Sequence, residues 1–310
     1  HGYLYPSNFC DTQPRGMGLL SMRFPKDGNT LVIDGGDSLQ GSPLTYYCHT
    51  QQKPMPIAHA MNQRGYDFVT LGNHDFNYGY DNLADYLGQL NAQCLCANVT
   101  DKTGALPILP YAVRTMENGL RVGVVGITTH WITVWEKPEN LTNFQIRPPV
   151  EAVRPLVSRL REQVDVLIGV YHGGYEKDLR TGAPLSDTDE NQACRLCEEY
   201  PFDLLLTGHQ HAALAGAKWA GAHLVQTPCN AAAYARVELD ENGAFHSQLV
   251  IPPDTALLDD EQRALWAAVN QWLDRPIGHL SHPLWPGEKL EMALHSSPIA
   301  NFFNQVQLEA

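Results

Sequence analysis

Short apolar runs recur along the first two thirds of the chain, with amphipathic stretches between them. Thr30–Asp34 (TLVID), Asp67–Leu71 (DFVTL), Arg121–Ile127 (RVGVVGI), Val164–Tyr171 (VDVLIGVY) and Asp203–Thr207 (DLLLT) predict strands. Their Val, Ile and Leu residues stand on consecutive positions, which fits a sheet covered on both faces. Helices are predicted near Pro54–Arg64, Asp81–Leu90, Val150–Gln163 and Asp187–Glu199. This alternation argues an α/β core.

From His223 the pattern changes. HLVQT, YARVELD and FHSQLVI read as strands with no helix between them, and Asn242–Gly243 marks a hairpin between the second and third. A more antiparallel layer is therefore expected to complete the core. Asp259–Leu273 reads as an amphipathic helix, and residues 276–310 as a tail without clear periodicity. There is no internal repeat and no low-complexity segment.

The ends of the strands carry the chemistry. TLVID runs into GGDSLQG, which places Asp37 in a glycine-rich turn. DFVTL runs into Gly72-Asn73-His74-Asp75, VDVLIGVY ends on His172 before two glycines, and DLLLT ends on Gly208-His209-Gln210-His211. Singly, each is an ordinary turn residue. Together, four strands delivering Asp, Asn and His beside glycine at their carboxyl ends mark the edge where open α/β sheets bind ligands.

Composition narrows the partners. With 310 residues, 44% apolar and 18% charged, the chain fits one large core with a small appendage. A net charge of −13 disfavours nucleic-acid polymers and anionic membranes. No apolar run reaches the roughly 18 residues of a membrane helix. A phosphate ligand would need a local positive centre, which bound metal ions provide. Asp, Asn and His donors without thiolate suit Mn, Fe or Zn. They are too many for one ion, and two ions about 3.5–4 Å apart would use them all. His74 would then face the substrate, steadying charge or protonating a leaving alkoxide.

Seven cysteines, an odd number without a dense framework, favour free thiols and lean toward the cytoplasm, with a periplasmic or cell-surface location as the alternative. Cys194 and Cys197 lie in a helical pattern and read as half-buried packing residues rather than a zinc or redox pair. Of the other histidines, His130 is the one expected near the site; Trp131 and Trp135 are expected to pack a lid or surface loop.

In order along the chain, HGYLYP, GGDSLQGSP, GNHDFNYG, YHGG and GHQHA resemble the calcineurin-like metallophosphoesterases, in the branch of 5'-nucleotidases and 2',3'-cyclic-nucleotide 2'-phosphodiesterases. The resemblance implies a four-layer α+β sandwich, two mixed sheets flanked by helices, with two divalent metal ions at the strand ends. It implies Asp37 as the bridging carboxylate, Asn73, His172 and His209 on one ion, His1 and His211 on the other, and His74 as the transition-state histidine. Residues 1–275 would form this catalytic domain. Ser296–Leu308 (SSPIANFFNQVQL) resembles the start of the family's nucleotide-binding domain, with 276–310 as linker; Phe302 and Phe303 are read as linker-helix residues.

Two departures follow. The family's Asp-x-His-Gly motif begins here at its His, so one site is expected to lack a charged ligand. Asn77 stands where 5'-nucleotidase-type members carry an Asp paired with the histidine, as in the cyclic-nucleotide branch. An amide orients an imidazole but does not stabilise an imidazolium as a carboxylate does. The expected substrate is a nucleotide phosphoester, a phosphodiester or 3'-phosphate before a 5'-phosphate. The alternatives are a sugar nucleotide, another small phosphodiester, or an inactive metal-binding fragment.

Overall fold

The computed structural model describes residues 23–252, 258–281, 283–284, 288, 294–295 and 297–309. His1, Cys10 and His282 therefore lie outside the described residues. The strands are β1 Ile33–Asp34, β2 Phe68–Val69, β3 Gln93–Leu95, β4 Val99–Asp101, β5 Ile108–Leu109, β6 Tyr111–Thr115, β7 Arg121–Thr128, β8 Phe144–Ile146, β9 Val166–His172, β10 Leu204–Thr207, β11 Leu214–Trp219, β12 Ala222–Gln226, β13 Tyr234–Leu239 and β14 Phe245–Val250.

One sheet has the order β1-β2-β3-β5 and is parallel throughout. The second has the order β11-β12-β10-β9-β7-β6, with a parallel centre and an antiparallel strand at each edge. Side chains alternate across the second sheet as the period of two requires. Val122, Val124, Val166, Ile168 and Val170 point to a core shared with Phe68 and Leu95 of the first sheet. Val125, Ile127, Leu167 and Tyr171 point to the opposite face, against Val153, Val157 and Leu160 of helix Pro149–Arg161 and Leu196 of helix Ala193–Glu199. Helices Pro56–Gln63 and Gly79–Gln89 cover the first sheet through Ile57, Met61, Leu83 and Tyr86. Each such buried side chain contributes about 1.5–3 kcal/mol. The sheets approach closely at Gly126, where a Cβ would lie 1.8 Å from the Leu95 carbonyl oxygen.

Several predicted elements shift for identifiable reasons. β1 and β2 are two residues each, because the chain leaves regular pairing early to build turns, although ladder bonds continue on both sides (Asp67 N–H to Val32 O, 2.8 Å; Thr70 N–H to Asp34 O, 3.1 Å). The helix expected from Asp187 begins at Ala193, where the Glu176 carboxylate accepts from the N–H groups of Cys194 and Arg195 at 2.9 and 2.6 Å. Residues 187–192 are instead a loop. HLVQT joins the second sheet as β12, parallel to β10 on one side and antiparallel to β11 on the other; β13 and β14 form the expected hairpin. Helix Pro43–Thr50, capped by Ser42 with Pro43 in its first turn, was not predicted.

The chain divides into two compact units at Val269/Asn270. Within the first, Leu265, Trp266 and Val269 of helix Asp260–Leu273 pack on the core over the first sheet. The second contains helix Pro298–Glu309, on which Phe302 and Phe303 are exposed. No helix among the described residues is long and apolar enough to cross a membrane.

Candidate active site

The carboxyl ends of β1, β2, β9 and β10 converge, and each brings a side chain named from the sequence. Asp37 follows β1 with φ +63°, in the left-handed region where Asp and Asn are tolerated. His209 and His211, after β10, share that region at +69° and +55°. Non-glycine residues held there cost about 1–3 kcal/mol, and such strain collects at functional sites. Gly72 is required: a Cβ on it would lie 2.2 Å from Asp37 Oδ1.

Asp75, present in the sequence cluster but given no role there, organises the turn. Its buried carboxylate accepts four backbone N–H groups, from Gly72 (2.7 Å), Asp37 (2.9 Å), Ser38 (2.8 Å) and Leu39 (3.0 Å). The strand ends of β1 and β2 are thereby tied through one side chain. The His74 N–H in turn donates to Asp37 Oδ1 at 2.7 Å.

His172, at the end of β9, crosses to the first sheet. Its Nδ1 donates to the Gly35 carbonyl at 2.7 Å, and its Nε2 stands 3.1 Å from Asp37 Oδ2. Both side chains are almost fully buried. Burial alone would raise the Asp37 pKa, but the adjoining His172 imidazole and the His74 N–H hold it well below the usual carboxylate range. His209 sits between Asn73 Oδ1 (3.0 Å from Nδ1) and Glu190 Oε1 (2.8 Å from Nε2). Its ring meets that of His172 edge-on at 5.5 Å. Burial and the neighbouring His172 push the His209 pKa down. His211 is exposed; burial of part of its ring and the fields of His172 and His74 lower its pKa against the pull of Asp37.

Asn73, His74, Asn77, Ile132, Trp135, Glu136 and His209 line a cavity of about 330 Å³. His74 Nδ1 lies 2.7 Å from Asn77 Oδ1, and Asn77 Nδ2 donates to Glu136 Oε2. Trp135, expected in a lid or surface loop, is exposed, lines the cavity and stacks on His209 at 5.3 Å. Trp131 and His130 are held by Asp189, at 2.8 and 3.3 Å, next to Glu190. Sequence reasoning missed Glu136 and Glu190, which lie in stretches without a motif. The remaining described histidines have structural settings where partners are seen: His49 stacks on Tyr78, His223 meets Ser247, and His246 meets Asp240. Cys194 and Cys197 are fully rather than half buried, and burial pushes each thiol up to about 12.

The Asp37–His172 pair could take up a cation. With Nδ1–H committed to Gly35, a neutral His172 turns a bare Nε2 lone pair toward a carboxylate oxygen; Nε2 is buried and makes no hydrogen bond of acceptable geometry. Two acceptors face each other, an arrangement that a proton or a cation relieves. Among the described residues no three His, Cys, Asp or Glu side chains stand disposed around one ion; the acid–imidazole pairs close on each other, and Asn73 contributes an amide donor.

Residues 19–213 match the family model described as calcineurin-like phosphoesterase. The trifunctional nucleotide phosphoesterase protein YfkN of Bacillus subtilis is 31% identical over 221 residues, 66% of this chain and 15% of the relative. The 2',3'-cyclic-nucleotide 2'-phosphodiesterase/3'-nucleotidase of Salmonella typhimurium is 28% identical over 206 residues, 62% of this chain and 31% of the relative. A Staphylococcus aureus structure solved with alpha-ketoglutarate superposes with a TM-score of 0.86 at 29% identity, covering 97% of this chain and 62% of that one. The chain thus spans less than a third of these two curated relatives. On the match to the family model, which takes in the strand ends just described, the chain belongs to the calcineurin-like phosphoesterase family.

Proposed function

We propose that this chain is the catalytic domain of a metal-dependent phosphoesterase that hydrolyses nucleotide phosphoesters: 2',3'-cyclic phosphodiesters, 3'-monoesters or 5'-monoesters. The observation that carries the reading is the meeting of Asp37, Asn73, His74, His172 and His209 at the carboxyl ends of strands from two sheets. The printed activities of the Bacillus and Salmonella relatives support the substrate class. Asn77, an amide rather than a carboxylate beside His74, favours the cyclic or 3'-phosphate substrate.

In this reading Asp37, Asn73, His172, His209 and His211, with His1, would hold two divalent ions. Bound there, such ions neutralise phosphoryl charge and lower the pKa of a coordinated water. Asp75 and Gly72 keep Asp37 in its strained turn. His74 lines the cavity with Nδ1 held by Asn77, so its Nε2 gives or takes the proton at the ester oxygen. Trp135 and Ile132 give the cavity an apolar wall. Residues 1–275 form the catalytic domain in this proposal, and 276–310 lead toward a nucleotide-binding domain.

The test is turnover of 2',3'-cyclic AMP, 3'-AMP, 5'-AMP and a sugar nucleotide by Mn²⁺-loaded protein, with Asp37→Asn as control. Metal-dependent hydrolysis of the first two, abolished in the variant, supports the reading. Preference for the sugar nucleotide, or no turnover even of an aryl phosphodiester, overturns it.

A further inference from the structure

Asn77 sets an amide, not a carboxylate, against His74 Nδ1, yet the structure supplies a carboxylate a single hydrogen bond further out. Glu136 accepts from Asn77 Nδ2 through Oε2. Its other oxygen accepts from the Lys137 N–H at 2.7 Å and from Asn140 Nδ2 at 2.9 Å, and Asn140 Nδ2 also reaches the Asn77 carbonyl at 3.2 Å. Glu136 is itself fixed as the residue that ends helix Ile132–Trp135, its N–H on the Ile132 carbonyl at 2.9 Å, with Ile132 buried beneath.

A side-chain amide is nearly symmetric in shape but opposite in hydrogen bonding at its two ends. A carboxylate accepts only, so the end of Asn77 that meets Glu136 must be Nδ2. Oδ1 is then the end that meets His74, and an oxygen there demands a proton on His74 Nδ1. The tautomer of the imidazole is set two residues away from it.

We propose that Glu136 is a positioning residue for His74: acting through Asn77, it locks the imidazole as the Nδ1–H tautomer and leaves Nε2 as the nitrogen that works at the substrate. The use of Nε2 rests on the phosphoesterase reading; the tautomer does not.

Two-bond ¹H–¹⁵N correlation on metal-free protein labelled at histidine tests it directly, with His74 identified by the signal that His74→Ala removes. The wild type shows Nδ1–H alone in the neutral ring. Glu136→Ala frees the amide to turn over and gives a mixture of tautomers, whereas Glu136→Gln, whose single oxygen stays with the Lys137 and Asn140 donors, turns its NH₂ toward Asn77 and shifts the ring toward Nε2–H. In Mn²⁺-loaded protein Glu136→Ala lowers kcat about 10-fold or more with KM within about 2-fold, the range of an outer-shell partner lost. Asn77→Asp alone sets two carboxylates against each other; adding Glu136→Gln supplies an amide that donates to the new carboxylate and recovers activity above the single variant.

Nδ1–H alone in Glu136→Ala, an unchanged kcat in that variant, or a double variant no better than Asn77→Asp overturns the proposal. If Glu136→Ala does not fold, the comparison of Asn77→Asp with the double variant decides. If no variant and no wild type turns over a phosphoester, the functional reading fails while the tautomer still decides whether Glu136 positions His74.

Discussion

His172 Nε2 and Asp37 Oδ2 stand 3.1 Å apart, one from each sheet, with the other nitrogen of His172 already committed to the Gly35 carbonyl. This contact joins the ends of β1 and β9 and puts an almost fully buried acid–imidazole pair at the candidate metal site.

The pair makes ion binding measurable without catalysis. A ligand at a hundred times its Kd stabilises by about 2.7 kcal/mol, which is about 5–10 °C in a domain of this size. Thermal unfolding followed by fluorescence is expected to show a rise of that order with Mn²⁺ in the wild type, and little or none in His172→Ala. An equal rise in the variant would place the ion elsewhere.

Asp75→Asn is expected to destabilise by about 2–4 kcal/mol. The amide turns an NH₂ group toward backbone N–H donors where each carboxylate oxygen now receives two. Urea unfolding measures this; a change below about 0.5 kcal/mol, the range of ordinary surface substitutions, would contradict the clamp.

Gly72→Ala adds a methyl group 2.2 Å from Asp37 Oδ1. The turn must open, at about 1–3 kcal/mol for overpacking, and Asp37 must move off His172. Loss of the Mn²⁺-induced thermal shift together with lowered stability is the predicted result. Retention of the full shift would mean that the turn has slack the contact distances do not suggest.

The loop after β4 gives a pH prediction. Asp101 accepts from the N–H groups of Thr103, Ala105 and Leu106 at 3.0, 2.9 and 2.9 Å. Burial would raise its pKa, but these bonds and those from the Thr103 and Tyr80 hydroxyls bring it down to about 2 from 3.8. A depressed carboxylate pKa contributes stability above the unfolded value and loses it as pH falls from about 4 through about 2. The group is close to solvent, so the contribution is about 1 kcal/mol after screening. Urea midpoints at pH 5 and pH 3 should fall more in the wild type than in Asp101→Asn; equal falls would remove Asp101 from the account.

Much of the site was legible because its donors are local features of strand ends. Asp37, Asn73, His172 and His209 each stand beside a glycine within three residues of an apolar run, and His74 follows Asn73. Asp75 was visible but its role was not, since three of the four N–H groups it binds lie 36 to 38 residues away, after β1. Glu136 and Glu190 were invisible: they reach Asn77 and His209 across 59 and 19 residues, from loops with no periodicity to read. The shortness of β1 and β2 was missed for a related reason, as the apolar pattern continues past the point where regular pairing stops.

The sequence by itself determined which residues could donate to a cation and on which strand each would arrive, because apolar runs and glycine punctuation act over a few residues. The tertiary structure alone decided which donor faces which. The two sheets carry Asp37 and His172 independently, and their 3.1 Å contact exists because the shared apolar core fixes one sheet against the other. Burial of Ile132 in a different part of the core places Glu136 against the Asn77 amide, and a hydrogen bond has direction that only a fixed partner can choose.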